Sequence, residues 1–385
     1  MVSGQKQLVF DMHIEDYKNI FKQKRNYSIG VEEEFMICDP KTGNLIDRAD
    51  EIMNMVADKD RFSYELLLSE IETNTPICAD VNESIDCLSR QRTELKEIGN
   101  KIGYSLGVSG THPTAMAVDQ SFVENTSYNW VADQLKYYAK RNITFSTHIH
   151  ISVDDPERAI KITNATRRWI PALLAISANS PFFEGEKTGF KSSRTMQFGA
   201  FPRTNIPVKI DSFDSYFNLV RTLEETNSIQ KPRQVWWKIR PHLDYGTLEY
   251  RICDVQRSLK RTKMLVALVQ ALVHSYDTMV MYNNNLEDMN YEILNDAFWK
   301  ATRFDFNSKV TDCFDGKRLT LKDYVYKMID TIHLSLSELG NSDVLETLDD
   351  IVENGTEADN QIEYERKNGK NKLLFYLIDD VEYSL

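Results

Sequence analysis

The segment NITFSTHIHISVD, residues 142–154, alternates apolar and polar side chains with a period of two. This is the period of a β-strand that turns one face to the core and leaves the other free for polar chemistry. The segment therefore predicts a strand. Its core-facing residues are Ile143, Phe145, Ile149, Ile151 and Val153. Its polar face carries Thr144, Ser146, His148, His150 and Ser152.

The segment YSIGVEEEFMI, residues 27–37, shows the same alternation with a different set of polar groups. Glu32 and Glu34 share one face, and the apolar residues share the other. Glu33 is the exception, because it falls on the apolar side. We expect Glu33 to pair with a base at the sheet margin.

The segment TLEYRICD, residues 247–254, is the third strand predicted by this pattern. Glu249 and Arg251 fall on its polar side and are expected to stand next to each other. Acids, imidazoles and a guanidinium on three strand faces indicate one chemically active sheet surface rather than an ordinary core.

Paired acids on one strand face predict a cation between them. Glu32 and Glu34 would lie about 7 Å apart, and burying two such carboxylates unpaired is very unfavourable. Oxygen ligands with one imidazole suit Mg²⁺ or Mn²⁺ better than a structural zinc. Glu65 and Glu72 form a further pair, seven residues apart. On one strand they would point to opposite faces, so a bulge, a turn or two helical turns must align them if both reach one site.

Each feature taken alone has a plainer explanation. A Glu-x-Glu in a strand is more often a solvated edge than a metal site, and His148 with His150 alone would fit a metal-dependent amidohydrolase. That fold places its His-x-His on a buried parallel strand, which is apolar on both sides, so the alternation opposes it. A non-catalytic nucleotide-binding homologue is the other alternative, and the intact set of acids argues against it.

The rest of the chain is predicted to form packing helices, a loop and an acidic surface. Helical periods run through residues 85–106, 157–179, 261–282 and 321–339. Residues 180–207 lose the period and carry a basic excess, which indicates a loop that closes over substrate. The segment from 341 is acidic and is expected to be solvated. Glu70 is expected to be exposed. Four residues are interpreted as packing: Cys78, Cys253, Trp236 and Trp237.

Composition narrows the function classes. The 385 residues are 42% hydrophobic, enough for a sizeable core, and residues 1–385 are expected to form one domain. A net charge of −12 argues against a nucleic-acid partner. We expect no membrane span and no secretion signal, and hence a cytoplasmic location. Neither GxxxxGK[ST] nor GxGxxG occurs, so metals and basic side chains must hold the phosphates of any bound nucleotide.

Six segments in order carry a resemblance to a known family. They are GVEEEF (30–35), ELLLSEIETNTPIC (65–78), GTHP (110–113), THIHISV (147–153), SANSPFF (177–183) with SSR (192–194), and RPHLDYGTLEYRICD (240–254). Together they resemble the glutamate-cysteine ligase type 2 family, carboxylate-amine ligases related to glutamine synthetase. The resemblance covers residues 25–305.

This resemblance implies an α+β fold, in which the concave face of a glutamine synthetase-like antiparallel sheet holds the active site and helices cover the other face. It implies ATP and two or three Mg²⁺ ions at that site. One implied metal group is Glu34, Glu65 and Glu72. The other is Glu32, His148 and Glu249. Arg251 resembles the family arginine that contacts the transferring phosphate. Residues assigned to phosphate or substrate carboxylate by charge and placement are His150, Arg194, Arg240 and Arg303.

The resemblance also implies the reaction. ATP would convert a carboxylate, usually the γ-carboxyl of L-glutamate, to an acyl phosphate, and an amine, usually that of L-cysteine, would displace phosphate. Glu249, Arg251 and His148 are the implied catalytic residues, and no covalent enzyme nucleophile is needed. Another amine or another acid remains an alternative within the family. A homodimer is compatible with the sequence.

Overall fold

The computed structural model describes residues 13–124, 126–282, 284–379 and 381–385. Residues 1–12, to which the prediction about a secretion signal mainly refers, therefore lie outside the described residues. The strands are β1 (Ile29–Cys38), β2 (Phe62–Tyr64), β3 (Glu70–Asn74), β4 (Ser105–Gly107), β5 (Ser146–Ser152), β6 (Phe182–Phe183), β7 (Glu186–Lys187), β8 (Ile239–His242), β9 (Thr247–Asp254), β10 (Lys309–Thr311) and β11 (Arg318–Thr320).

Helices make up most of the remaining described chain. They are α1 (Ile14–Lys22), α2 (Ala49–Met55), α3 (Val81–Ile102), α4 (Thr126–Leu135), α5 (Tyr137–Lys140), α6 (Pro156–Thr166), α7 (Ile170–Ser177), α8 (Ser193–Phe198), α9 (Phe213–Glu225), α10 (Leu259–Tyr282), α11 (Tyr291–Arg303), α12 (Leu321–Glu338), α13 (Val344–Asn354), α14 (Glu357–Asn368) and α15 (Lys370–Asp379).

The three segments predicted from their alternation lie side by side in one sheet. The sheet order is β2-β3-β1-β5-β9-β8, β4 also pairs with β1, and every pairing is antiparallel. The ladder between β1 and β5 places Glu32 opposite His148, and the ladder between β5 and β9 places His150 opposite Glu249. The predicted α+β class with an antiparallel sheet is confirmed.

The two faces of this sheet differ as the alternation predicts. The apolar residues of β5 and β9, such as Ile149, Ile151 and Tyr250, are buried in a core with helices α6, α7, α10 and α12. The opposite face carries the acids and imidazoles and lines a cavity. Burial of one face by helices therefore leaves the other face available for polar side chains.

Helix α10 crosses the middle of this core and confirms the helix predicted at 261–282. Among the described residues it is the one helix long and apolar enough to cross a membrane. Its most apolar 18-residue window is 78% buried inside this fold, which is the behaviour of a central core helix.

Three sequence predictions about helices and loops need correction. Helix α3 starts at Val81, with Asp80 as its N-cap, but ends at Ile102, because Gly103 adopts a left-handed conformation with φ of 83°. The predicted helix at 157–179 is divided into α6 and α7 by a short 3₁₀ turn. The predicted loop at 180–207 contains a short hairpin and helix α8.

The acidic C-terminal segment is less solvated than predicted. Glu357 is buried and forms an ion pair with Arg257 at 2.8 Å. In α15, Leu377 joins the hydrophobic cluster that contains Phe35, and its carbonyl accepts from the Val108 N–H at 3.1 Å. Helices α13 and α15 therefore contribute apolar residues to the core, whereas α14 contributes the buried ion pair of Glu357.

Glu33 occupies the core side of β1 and pairs with a base, as predicted, but the place of that pair differs from the prediction. It pairs with Arg92 of α3, and both side chains are fully buried rather than placed at the sheet margin. Arg92 also donates to the main-chain carbonyls of Gln256, Arg257 and Glu382. Through these hydrogen bonds, the pair connects β1 and α3 to the C-terminal segment.

Candidate active site

A cavity of about 280 Å³ opens on the polar face of the sheet. Acids from β1, β3 and β9 form its floor, and residues from α4, from α8 and from the segment before β8 form its walls. Its charged lining residues are Glu32, Glu34, Glu65, Glu70, Glu72, His148, Arg194, Arg233, Arg240, His242, Glu249 and Arg251. Aromatic side chains of Tyr64, Tyr128, Phe198, Phe201, Trp236 and Tyr245 complete it.

Glu34, Glu65 and Glu72 form the first acidic group. Each offers a carboxylate oxygen, and these oxygens lie within 4.8 Å of one another. The turn between β2 and β3 brings Glu65 to the face that carries Glu72, which answers the question raised by their spacing. Glu34 accepts hydrogen bonds from both the N–H and the hydroxyl of Ser146, at 2.6 Å each. The three acids predicted as one group are thus brought together.

The second group differs from the predicted one in its imidazole. Glu32 and Glu249 are joined by His150, again with ligand atoms within 4.8 Å, whereas His148 forms a separate group with Glu32 and Glu72. Antiparallel register explains the difference, since His150 is directly opposite Glu249. The ladder between β5 and β9 shifts register between Thr147 and Ile149. His148 therefore has no residue directly opposite it on β9, whereas His150 does. His150 Nε2 is buried and has no hydrogen-bond partner in the described chain.

The pKa values divide these acids into two sets. Burial, then the charge of Glu34, raises the pKa of Glu65 to about 7, and burial together with neighbouring carboxylates raises that of Glu72 well above its usual range. Burial also acts on Glu32 and Glu249. There, however, His150 lowers the pKa of Glu32, and Arg240 and Arg251 lower that of Glu249. Burial and negative charge therefore outweigh the positive charge of Arg251 at the end of the cavity near Glu65 and Glu72.

Oxygen-rich groups of three ligands, two buried and one partly buried, fit divalent magnesium or manganese. The first group is all carboxylate, which is the donor set that hard cations prefer, and the raised pKa values of Glu65 and Glu72 show how poorly these two carboxylates are compensated by protein groups. In the second group, Nε2 of His150 makes no hydrogen bond and lies 3.4 Å from Glu32 Oε1 and 3.9 Å from Glu249 Oε1, so it is placed to serve as a nitrogen ligand beside these two acids. The residues present thus fit the metals that the sequence implied.

Guanidinium groups line the side of the cavity that faces β8 and β9. Arg240 and Arg251 each form an ion pair with Glu249. Arg194 of α8 is buried and donates to the main-chain carbonyls of Arg251 and Ile252. The Nε groups of Arg194 and Arg251 are buried donors without a partner in the described residues. Two such donors beside the acidic floor of the cavity are suited to binding an anion that is complexed with metal cations.

Two predicted site residues do not line the cavity: His150, which stands beside Glu32 and Glu249, and Arg303, which lies elsewhere. Its guanidinium lies over the rings of Phe190 and Phe304, 5.2 and 5.3 Å from their centroids. It ends helix α11, and its Nη1 donates to the Gly189 carbonyl at 3.5 Å. The basic charge that suggested a substrate contact is therefore used in packing against the segment before α8.

The structure also adds residues that the sequence had assigned elsewhere. Glu70, expected to be exposed, is 2% exposed and lines the cavity, and Trp236, interpreted as packing, lines it as well. Glu70 lies two residues before Glu72 on the same strand, so alternation alone places both on one face. Arg233 and Tyr245 also line the cavity and carried no recognisable signal. Cys78, Cys253 and Trp237 are buried as predicted.

An antiparallel sheet with helices on one face and acidic groups and arginines on the other is the arrangement that the family resemblance implies for an ATP-dependent carbon-nitrogen ligase. The His-x-His of β5 lies between two antiparallel neighbours, so the amidohydrolase alternative is excluded. The chain belongs to glutamate-cysteine ligase family 2, whose family model matches residues 28–373. It is accordingly a carboxylate-amine ligase of the glutamate-cysteine ligase type.

Relatives of similar length support this assignment. A protein of Solibacter usitatus, provisionally named glutamate-cysteine ligase 2, is 32% identical over 365 residues, which are 93% of this chain and 94% of that protein. A protein of Gloeobacter violaceus with the same provisional name is 31% identical over 369 residues, 95% of this chain and 98% of its own.

Solved structures support the fold. The glutamate-cysteine ligase of Francisella tularensis, solved in complex with AMP, gives a TM-score of 0.71 at 14% identity over 93% of this chain and 88% of that one. A bifunctional glutathione synthetase from Pasteurella multocida gives a TM-score of 0.63 at 16% identity over 95% of this chain, which spans 53% of that longer protein.

Proposed function

We propose that this enzyme joins L-glutamate to L-cysteine with hydrolysis of ATP, releasing γ-glutamylcysteine, ADP and phosphate. The observation that carries the proposal is one cavity in which two acidic ligand groups stand beside guanidinium donors without partners. Family membership supports this choice of reaction, and the printed names of the relatives support the choice of amino acids. A different amine is the alternative within the same chemistry.

Magnesium, or manganese, is the cofactor that these residues would hold. Glu34, Glu65 and Glu72 would form one site, and Glu32 and Glu249 with an imidazole would form the other. His150 is the nearer imidazole to Glu249 in this structure, although the family resemblance suggested His148. Bound there, the ions would neutralise charge on the β- and γ-phosphates of ATP.

The arginines would act on the transferred phosphoryl group. Arg251 lies beside Glu249 and His148, and its unpartnered Nε, with that of Arg194, would donate to the phosphoryl oxygens as charge develops there. Arg240 fixes one oxygen of Glu249, and so keeps that carboxylate ionised and oriented. His150 would stay within reach of the same carboxylate.

The bonds change in two steps. An oxygen of the γ-carboxylate attacks the γ-phosphorus, the bond to the β-phosphate oxygen breaks, and ADP leaves with that electron pair. The amine nitrogen then attacks the acyl carbon, and the carbon-oxygen bond to phosphate breaks while the nitrogen loses its proton. Since an activated carboxylate hydrolyses readily, a cavity recessed into the sheet surface would protect it from water.

We also propose a domain organisation and a cellular location for this reaction. We take the chain as one catalytic unit acting in the cytoplasm on small soluble substrates, with neither nucleic acid nor membrane as a partner. Strands β1, β5 and β9 belong to one sheet, and residues of all three line the same cavity. This arrangement supports the proposal that the chain is a single catalytic unit.

Measuring ADP and phosphate release tests the proposed function. Purified protein with Mg²⁺, ATP and L-glutamate would be assayed with L-cysteine and with a panel of other amines, and products would be weighed by mass spectrometry. Release that requires both amino acids, with a product of γ-glutamylcysteine mass, is the expected result. Release with another amine alone would overturn the substrate assignment, and no release with any pair would overturn the proposed function.

A further inference from the structure

Glu70 is the one acid among the described cavity-lining residues that no group of three ligand atoms includes. The other five cavity acids each belong to at least one such group. Glu70 is 2% exposed, and no hydrogen bond or ion pair within the described chain reaches its carboxylate. It therefore differs from its neighbours in having no evident use in metal binding.

No basic side chain among the described residues forms an ion pair with Glu70. Met36, which offers neither charge nor a hydrogen-bond donor, is its partner across the β1 and β3 ladder. Glu34 and Glu65 place negative charge on its surroundings, and Arg194, whose positive charge opposes them, forms no ion pair with Glu70 and donates to main-chain carbonyls instead. A carboxylate taken out of water without a partner is unfavourable, so this position calls for a cation from outside the chain.

An ammonium group fits this position better than a further metal ion. A metal needs several ligand atoms close together, and Glu70 has no two others within 4.8 Å. A primary ammonium needs one carboxylate and neutral acceptors, and Asn142 and Thr144, which also line the cavity, carry oxygen atoms of that kind. We propose that Glu70 binds the primary ammonium group of an amino-acid substrate.

This inference rests on the proposed function, in which two amino acids share the cavity. The ammonium could come from the amine acceptor before it attacks or from the α-carbon of the carboxylate donor. Both present the same chemistry to Glu70, and steady-state kinetics separate them.

A Glu70→Gln enzyme tests the proposal, with Glu186→Gln on the exposed β6–β7 hairpin as the matched control. We expect the KM of one amino acid to rise at least tenfold, while the KM of ATP and the Mg²⁺ concentration for half-maximal rate stay unchanged. A rise for the acceptor identifies the acceptor as the source, and a rise for L-glutamate identifies the donor. Both KM values within twofold of wild type, or a shifted Mg²⁺ requirement, would overturn the proposal.

Calorimetric titration gives a second measurement that does not depend on turnover. L-Glutamate, L-cysteine and methylammonium would each be titrated into metal-free wild-type, Glu70→Gln and Glu186→Gln proteins. At least tenfold weaker binding of one of them to Glu70→Gln alone supports the ammonium site, even if no substrate pair turns over and the proposed function fails. Equal binding by all three proteins, or no binding by wild type, would overturn it.

Discussion

Glu33 and Arg92 form an ion pair in which both side chains are fully buried, with 2.6 Å between Glu33 Oε1 and Arg92 Nη2. Glu33 also accepts from the hydroxyl of Thr262 at 3.0 Å. Breaking a buried pair leaves one charge without compensation, and the loss then exceeds the value of the attraction itself. The pair thus holds the central strand to helix α3 on the side opposite the cavity.

Replacing one partner of this pair should destabilise the fold. Arg92→Met leaves Glu33 charged and unpaired and is expected to lower the free energy of unfolding by about 3–5 kcal/mol, measured by urea denaturation. Arg366→Met, at an ion pair whose side chains are 67% and 48% exposed, is the control and should leave unfolding unchanged. Equal stability of Arg92→Met and wild type would contradict the structural role of the pair.

Two metal-ligand variants should differ in stability while both lose ligation. Glu34→Gln and Glu249→Gln each remove a carboxylate from a three-ligand group, and turnover should fall at least 100-fold. Only Glu249→Gln removes the partner of Arg240 and Arg251, so only that variant should lower the thermal midpoint of the metal-free protein.

Thermal melting with and without Mg²⁺ and ATP checks this pair of variants. Wild type should be stabilised by the ligands, because they bind the native state only, and both variants should lose most of that shift. Wild-type turnover in either variant would contradict the assignment of these acids as ligands.

Replacing Arg194 should impair catalysis, whereas replacing Arg303 should leave it unchanged. Arg194→Lys cannot serve two carbonyls and an anion from one ammonium, so kcat should fall at least tenfold. Arg303→Ala, whose guanidinium packs on Phe190 and Phe304, should keep kinetic constants within twofold of wild type. A strong kinetic defect in Arg303→Ala would mean that the loop rearranges to bring this residue into the cavity.

His112 should make stability dependent on pH. Its Nδ1 accepts from the N–H groups of Thr114 and Ala115, so its Nε2 carries the hydrogen and donates to the Gly43 carbonyl. Burial lowers the pKa of His112 to about 4. Between pH 6.5 and 4 the unfolded chain therefore binds the proton that the folded chain excludes, and stability is lost as pH falls through this range.

Urea denaturation at pH 7 and pH 4.5 measures this effect against a His112→Gln variant, which has no group that titrates there. Wild type should lose roughly 2–3 kcal/mol more than the variant between these two pH values. Other acids contribute equally to both proteins, so the difference isolates His112. Parallel losses in the two proteins would contradict a neutral buried imidazole.

The strand faces were the most predictable part of this molecule. Alternation in three short segments placed Glu32, Glu34, His148 and Glu249 on one surface, and the structure brings them into one cavity. A period of two is a property of the backbone, so it holds wherever a strand forms with one face buried.

Features that depend on contacts between distant segments could not be predicted in this way. Glu33 lies on the apolar face by alternation, but its partner Arg92 is 59 residues away on a helix whose docking the sequence does not state. The choice between His148 and His150 depends on the register of the ladder between β5 and β9, which places His150 opposite Glu249. The prediction that Glu70 is exposed was wrong, although its position two residues before Glu72 on β3 indicates the cavity face.

Transfer of a labelled oxygen tests the central claim most directly. L-Glutamate carrying ¹⁸O in its γ-carboxylate would be incubated with enzyme, ATP, Mg²⁺ and the amine that supports turnover, and the released phosphate would be analysed by mass. An acyl-phosphate route leaves one carboxylate oxygen on the phosphorus, so the account predicts one ¹⁸O atom in each released phosphate. Amide product formed with unlabelled phosphate, or ATP cleavage that does not require the carboxylate, would contradict it.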